Sequence, residues 1–211
     1  IPSRQTEKQE AFLYNYDMIG NQMVNAGALH QMLKPYKAHL ITGHTHYNLN
    51  IVFDDNLMEH NTAAVCGTWW KADICLDGTP RGYGVYEVND NDVKWYYKSS
   101  GYPKEHQFRS YPVGASKEHP SDIIANVWNW DKLWKVEWLE DGQLMGNMTR
   151  YTGLDPFASV VCSDREKMVY TWITPRPTQH MFRATPKNKD AHVTVKVTDR
   201  FGKEYIQTIN P

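Results

Sequence analysis

"LITGHTHYNLN", residues 40–50, runs from a short apolar segment through Gly43 into two histidines, His44 and His46, one residue apart. Imidazoles at i and i+2 on a loop reach the same small volume, and neutral imidazole suits Zn²⁺, Mn²⁺ or Fe. Gly43 lets the backbone approach a ligand closely or take a positive φ. The residues alone leave a second reading open: a polar loop whose histidines bond to neighbouring backbone. For a bare H-x-H this is the commoner case.

The flanking text supplies the fold. In "NQMVNAGALHQMLKPY" the apolar positions Val24, Ala28, Leu29, Met32 and Leu33 recur at three- and four-residue spacing until Pro35, which predicts a helix over about residues 21–34. "AHLIT" then reads as a strand buried in a sheet, and a helix feeding such a strand implies an α/β layer. Past residue 50 the pattern changes to short β-rich runs, "NIVF", "AAVCGTWW", "RGYGVYEV" and "DVKWYYKS", divided by Asp-Asn, Asp-Gly and Asn-Asp turns. The proline-bearing stretch "SGYPKEHQFRSYPVGASKEHPSD" reads as a linker and sets a boundary near residue 115. Beyond it, "LWKVEWLEDGQ", "ASVVCS", "MVYTWITP", "HMFRATP" and "HVTVKVTDRFGKEYIQTI" read as strands of an all-β sandwich. The fold class is α+β, with residues 1–115 and 116–211 as two parts.

Composition narrows the function. The 211 residues are 41% apolar and 22% charged, with eight tryptophans and thirteen tyrosines, which excludes a disordered or collagen-like chain. Twenty-three basic and 24 acidic residues leave a formal charge of −1 with no long run of either sign, so nucleic-acid binding is not expected. No apolar stretch approaches the roughly 20 residues of a membrane-spanning helix. Three cysteines, Cys66, Cys75 and Cys162, do not make a disulfide framework; Cys66 and Cys75 could bridge a hairpin or remain buried thiols.

An apolar strand followed by Gly43-His44-Thr45-His46 resembles the last metal-binding motif of calcineurin-like metallophosphoesterases. The downstream "EHNTAAVCGTWWKADICLDGTPRGYGVYEV" looks more specifically like a bacterial, Bacteroidetes-type branch with its own C-terminal domain, which residues 116–211 resemble. The resemblance implies the C-terminal half of a metallophosphoesterase α/β sandwich followed by an all-β accessory domain. It implies a phosphate ester as substrate, two divalent ions (Mn, Fe or Zn), and His44 and His46 as one ligand to each ion. Two ions about 3.5–4 Å apart clamp the ester in such sites. The other ligand motifs, of the type Asp-x-His and Gly-Asn-His, do not occur: Gly20-Asn21 and Gly146-Asn147 continue into Gln22 and Met148. The expectation is therefore a missing N-terminal segment, no catalytic residue of this chain's own and no turnover by the chain alone. A periplasmic or extracellular location follows by the same resemblance.

Trp69 and Trp70 are candidate substrate-flanking residues, one of them exposed, and His60 could bond a phosphate oxygen or be structural. Asp77 reads as a turn cap. Trp128, Trp130, Trp134 and Trp138 fit a β-domain core better than a sugar platform, although a glycan- or protein-binding module stands as the alternative function. The uncharged edge of "AHLIT" and the apolar stripe of the helix before it predict exposed surface and a possible homo-oligomer.

Overall fold

A computed structural model of the chain describes residues 23, 25–188 and 190–209. These are mostly β-strand, arranged in several sheets, with two short helices. The first helix, α1 (Ala26–Leu33), ends at Lys34 ahead of Pro35; the start expected near residue 21 and Val24 lie outside the described residues. Ala28 and Met32 of the apolar stripe are exposed, because no other described element covers that face.

β1 (Ala38–Thr42), β2 (Leu49–Val52) and β3 (Leu57–Asn61) form a three-stranded sheet in the order β1-β3-β2. The β2–β3 hairpin is set by Asp54, whose Oδ1 accepts from the backbone N–H of Asn56 and Leu57, an Asx turn. β1 lies parallel to β3, so the chain leaving Thr42 must cross the carboxyl end of β3 before entering β2. That crossing is the His44–His46 loop. Among the described residues, the far edge of β1 has no strand partner, and Ile41 is 60% exposed there.

β4 (Gly82–Asn89) and β5 (Asp92–Ser99) form an antiparallel hairpin. Two four-stranded sheets follow, one ordered β10-β11-β7-β6 and the other β13-β12-β8-β9. The first contains β6 (Arg109–Tyr111), β7 (Ile123–Asn126), β10 (Thr149–Gly153) and β11 (Thr178–Ala184); the second contains β8 (Lys135–Glu140), β9 (Gln143–Asn147), β12 (Val193–Thr198) and β13 (Glu204–Ile209). Strand alternation turns Ile123, Ala125 and Phe182 of one toward Val136, Trp138, Val193, Val195, Val197 and Tyr205 of the other, in a single apolar core.

Several local expectations are corrected. "AAVCGTWW" is a succession of turns rather than a strand. Within it the backbone bonds are those of turns, from Gly67 N–H to Ala64, Trp70 to Cys66 and Lys71 to Thr68. "ASVVCS" belongs to helix α2 (Pro156–Ser163): Asp155 caps it by accepting from Ala158 N–H at 2.8 Å, and Pro156 opens its first turn. "MVYTWITP" is irregular. The expected linker contains β6 and the buried Phe108, and the position near residue 115 falls between two paired strands, β6 and β7. Trp128, Trp134 and Trp138 are core residues; Trp130 is half-buried, with Arg150 over its ring at 4.3 Å.

A buried polar network crosses from the front of the chain to its end. Asp77 accepts from Asn48 N–H (2.9 Å), Thr79 N–H (3.1 Å) and Thr79 Oγ1 (2.7 Å), and from His180 Nε2 at 3.2 Å. His180 Nδ1 lies 2.7 Å from Asn126 Oδ1, and Asn126 Nδ2 donates to the Asp77 carbonyl and to Asp155. Tyr111 donates to the same Asp155 oxygen at 2.6 Å. Gly78 makes this possible: its φ is +84°, and a Cβ there would overlap the Asp155 side chain. Asp77→Ala would strand several buried donors, so a loss of about 3 kcal/mol or more is expected in urea denaturation. Gly78→Ala is expected to be at least as damaging, whereas Gly142→Ala, with nothing within 4 Å of its added Cβ, should cost much less.

Candidate functional site

The loop between β1 and β2 is held from below by Asn61, whose Nδ2 donates to Thr45 Oγ1 at 2.7 Å and to the Tyr47 carbonyl at 2.8 Å. Thr62 N–H to the Thr42 carbonyl continues the parallel pairing to the loop's first residue. Asn48 closes the loop, donating to the Trp128 carbonyl and accepting from Ala63 N–H. His44 and His46 thus sit at the carboxyl ends of β1 and β3, where ligand sites of parallel sheets lie.

Both histidines have positive φ, +81° at His44 and +58° at His46. Trp69 (+46°) and Trp70 (+62°) on the neighbouring loop do as well. Among the described residues, the remaining non-glycine positions with positive φ are two turn residues, Asp90 and Asp141. For tryptophan such a φ is a real outlier, costing about 1–3 kcal/mol, whereas histidine is met there more often, and such conformations cluster at functional sites.

The two loops touch. The His46 ring stacks on Trp69 at 4.4 Å between centroids, with an interplanar angle of 20°. Trp69 is half-buried against the cluster of Leu76, Cys162, Met168 and Ile173, and Trp172 meets it edge-on at 4.6 Å. His46 Nδ1 faces the Gly67 carbonyl at 3.3 Å, with Cys66 Sγ at 3.7 Å. A carbonyl only accepts, so Nδ1 carries the proton and Nε2 keeps its lone pair. A backbone carbonyl on one ring nitrogen, leaving the other turned away from it, is the arrangement that prepares a histidine for a metal. His44 is exposed. Cys66, Cys75 and Cys162 are free thiols.

His60 lies elsewhere. It is 2% exposed in the middle of β3, its Nε2 2.9 Å from His39 Nδ1, with Trp95 at 4.7 Å and Tyr86 at 5.2 Å against its ring. Nothing in the sequence marks this pairing, because His39 meets His60 only once β1 is laid parallel to β3. Trp172, which buttresses Trp69 from the far end of the chain, carried no sequence signal either.

Residues 59–205 match a family model described as C terminal of calcineurin-like phosphoesterase. The chain belongs to that family. Neither the curated proteins nor the solved structures contain a match. The matched segment begins at Glu59, downstream of His44 and His46, and includes Trp69, Trp70, Asp77 and His180. Calcineurin-like phosphoesterases generally depend on two metal ions. Among the described residues no group of three or more His, Cys, Asp or Glu side chains is placed to hold one. Two imidazoles do not fit a two-ion set unaided.

The His39–His60 pair generates a pH dependence. Burial, then the neighbouring His39 and Arg200, bring the His60 pKa down to about 3, and burial with Lys37 and Arg200 lowers that of His39. The folded state binds these protons less tightly than the unfolded chain, so the stabilisation is complete above pH ~6.5 and is lost as pH falls toward 3. Between pH 7.5 and 4.5 the chain is expected to lose about 2 kcal/mol or more through this pair. His60→Asn should flatten that part of the slope in denaturant titrations.

Proposed function

We propose that this chain is the C-terminal portion of a metal-dependent phosphoesterase, to which His44 and His46 contribute metal ligands and the Trp69–Trp70 loop a substrate-flanking wall. In this reading the sheet of β1, β2 and β3 belongs to the phosphoesterase α/β sandwich, the two four-stranded sheets from β6 onward form its β-sandwich accessory part, and an upstream segment brings the remaining ligands. The unpaired edge of β1 is where that segment, or a second copy of the chain, would add. A periplasmic or extracellular location belongs to the same proposal.

The observation that carries it is the concentration of positive φ at His44, His46, Trp69 and Trp70, two loops joined by the His46–Trp69 stack. Packing rewards Trp69 and His46, which stack on one another over an apolar cluster, but not the exposed His44 and Trp70, whose conformations are explained by a ligand at the loops. The binding-module alternative leaned on tryptophans of the second part. Trp128, Trp134 and Trp138 are buried in the core, so no observation favours it.

Expressed together with its upstream segment, the chain is expected to hydrolyse an aryl phosphate ester only with added Mn²⁺ or a similar ion. His46→Ala should lower kcat/KM by about a hundredfold, with His44→Ala close behind. Turnover unchanged in both variants would overturn the proposal. The chain of Ile1–Pro211 alone is expected to be inactive on the same ester.

A further inference from the structure

Trp70 gains little from folding. Its φ of +62° costs about 1–2 kcal/mol in a residue with a Cβ, yet its side chain is 72% exposed. Trp69, under the same backbone strain, at least packs against Leu76, Met168 and Ile173. An indole held in a strained conformation and left in water is accounted for by something that covers it.

Beside Trp70 is an open cavity of about 340 Å³, within the size range of small-ligand sites. Trp70, Lys71 and Asp73 line one side, and Asp164, Lys167 and Met168, from the turn after α2, line the other. Both signs of charge are present at its rim. Lys167 lies 3.6 Å from Asp164, and Asp73 reaches out to Arg81 at 3.2 Å. An acyl chain would have to desolvate these groups with no compensating bond. A flat ring with donors and acceptors along its edge would place its face on the indole and its edge against the carboxylates and ammonium groups. One position back in sequence, the same contact already exists within the protein: the His46 imidazole, itself a nitrogen heterocycle, lies on the Trp69 indole.

We propose that this cavity binds a nitrogen heteroaromatic ring of the nucleobase type, stacked on Trp70, as the non-phosphate end of the ester. The proposal rests on the phosphoesterase reading only for the phosphate end. The ring site is built from residues on both sides of the chain's midpoint, which gives the C-terminal part a role in choosing the substrate.

Calorimetric titration of the full chain, without metal, tests the ring site using adenosine as the probe and ribose 5-phosphate as the ringless control. Adenosine is expected to bind, and ribose 5-phosphate to bind much more weakly. Trp70→Gly should weaken adenosine binding by about tenfold or more, the usual loss for removing a base-stacking aromatic. Its melting temperature should be unchanged or higher, since glycine accepts this φ without strain. Trp70→Asn, which also tolerates positive φ, should behave alike. Adenosine binding that is absent, or equal in both variants and the parent chain, overturns the proposal. So does ribose 5-phosphate binding of equal strength with the same dependence on Trp70, which would mark a sugar platform. Neither metal nor turnover enters this measurement, so its failure leaves the metal-ligand reading of His44 and His46 standing.

Discussion

Four donors converge on the Asp77 carboxylate in the interior, and most of the architecture follows from satisfying it. A buried carboxylate is tolerable only when its oxygens are bonded. Here the donors come from Asn48, at the end of the histidine loop, from Thr79 in the turn, and from His180 on β11. The turn of Asp77 and Gly78 is thereby pinned to the early sheet and to a strand a hundred residues later. Asn126 and Asp155 extend the same network to β7 and to the cap of α2. The C-terminal strands are thus part of the frame that positions the loops near His46, in addition to having a core of their own.

That frame makes the strain at the two loops sustainable. A non-glycine residue with positive φ persists only where its surroundings determine it. Asn61 and Asn48 hold the histidine loop from either end. The tryptophan loop is held by Thr68 Oγ1 bonding the Ile74 carbonyl at 2.5 Å, and by the apolar cluster beneath Trp69. Tyr97 adds a bond to the Pro80 carbonyl at 2.6 Å. The loops are therefore rigid supports whose exposed groups, His44 and Trp70, are free to meet a ligand.

Sequence patterning was reliable where one physical signal dominated. β5, β8 and the alternating valines of β12 are legible because burial on one face imposes a simple period. β1 is a strand as its apolar run predicts, but it is not buried: its residues are half-buried and Ile41 is exposed, because β1 is an edge strand among the described residues. β3 was not legible, since "LMEHN" is buried along its whole length and so shows no alternation, and the partners of Glu59, His60 and Asn61 lie far away in sequence. Thr42 Oγ1, for instance, bonds Glu59 at 2.7 Å. "AAVCGTWW" has the composition of a strand, but Gly67 must take a positive φ where a Cβ would crowd the Ala72 carbonyl, and the chain turns. "ASVVCS" has strand-like branching too, and there Asp155 and Pro156 supplied a helix start that outweighed it.

The sequence by itself named the family, which the match over residues 59–205 shows, and offered His44 and His46 as candidate ligands from the local pattern Gly43-His44-Thr45-His46. It also determined that Trp69 and Trp70 lie close to those histidines in the chain, and that one of the two would be exposed. Tertiary structure alone decided that His60 turns inward to His39, that His46 rests on Trp69 with its Nδ1 spoken for, and that Trp172, Lys167 and Asp164 return to the same region. Those relations are set by the parallel register of β1 on β3 and by a buried carboxylate shared between segments a hundred residues apart. A local sequence pattern carries no record of such pairings, since each partner's hydrogen-bonding need can be met in many ways until the fold selects one.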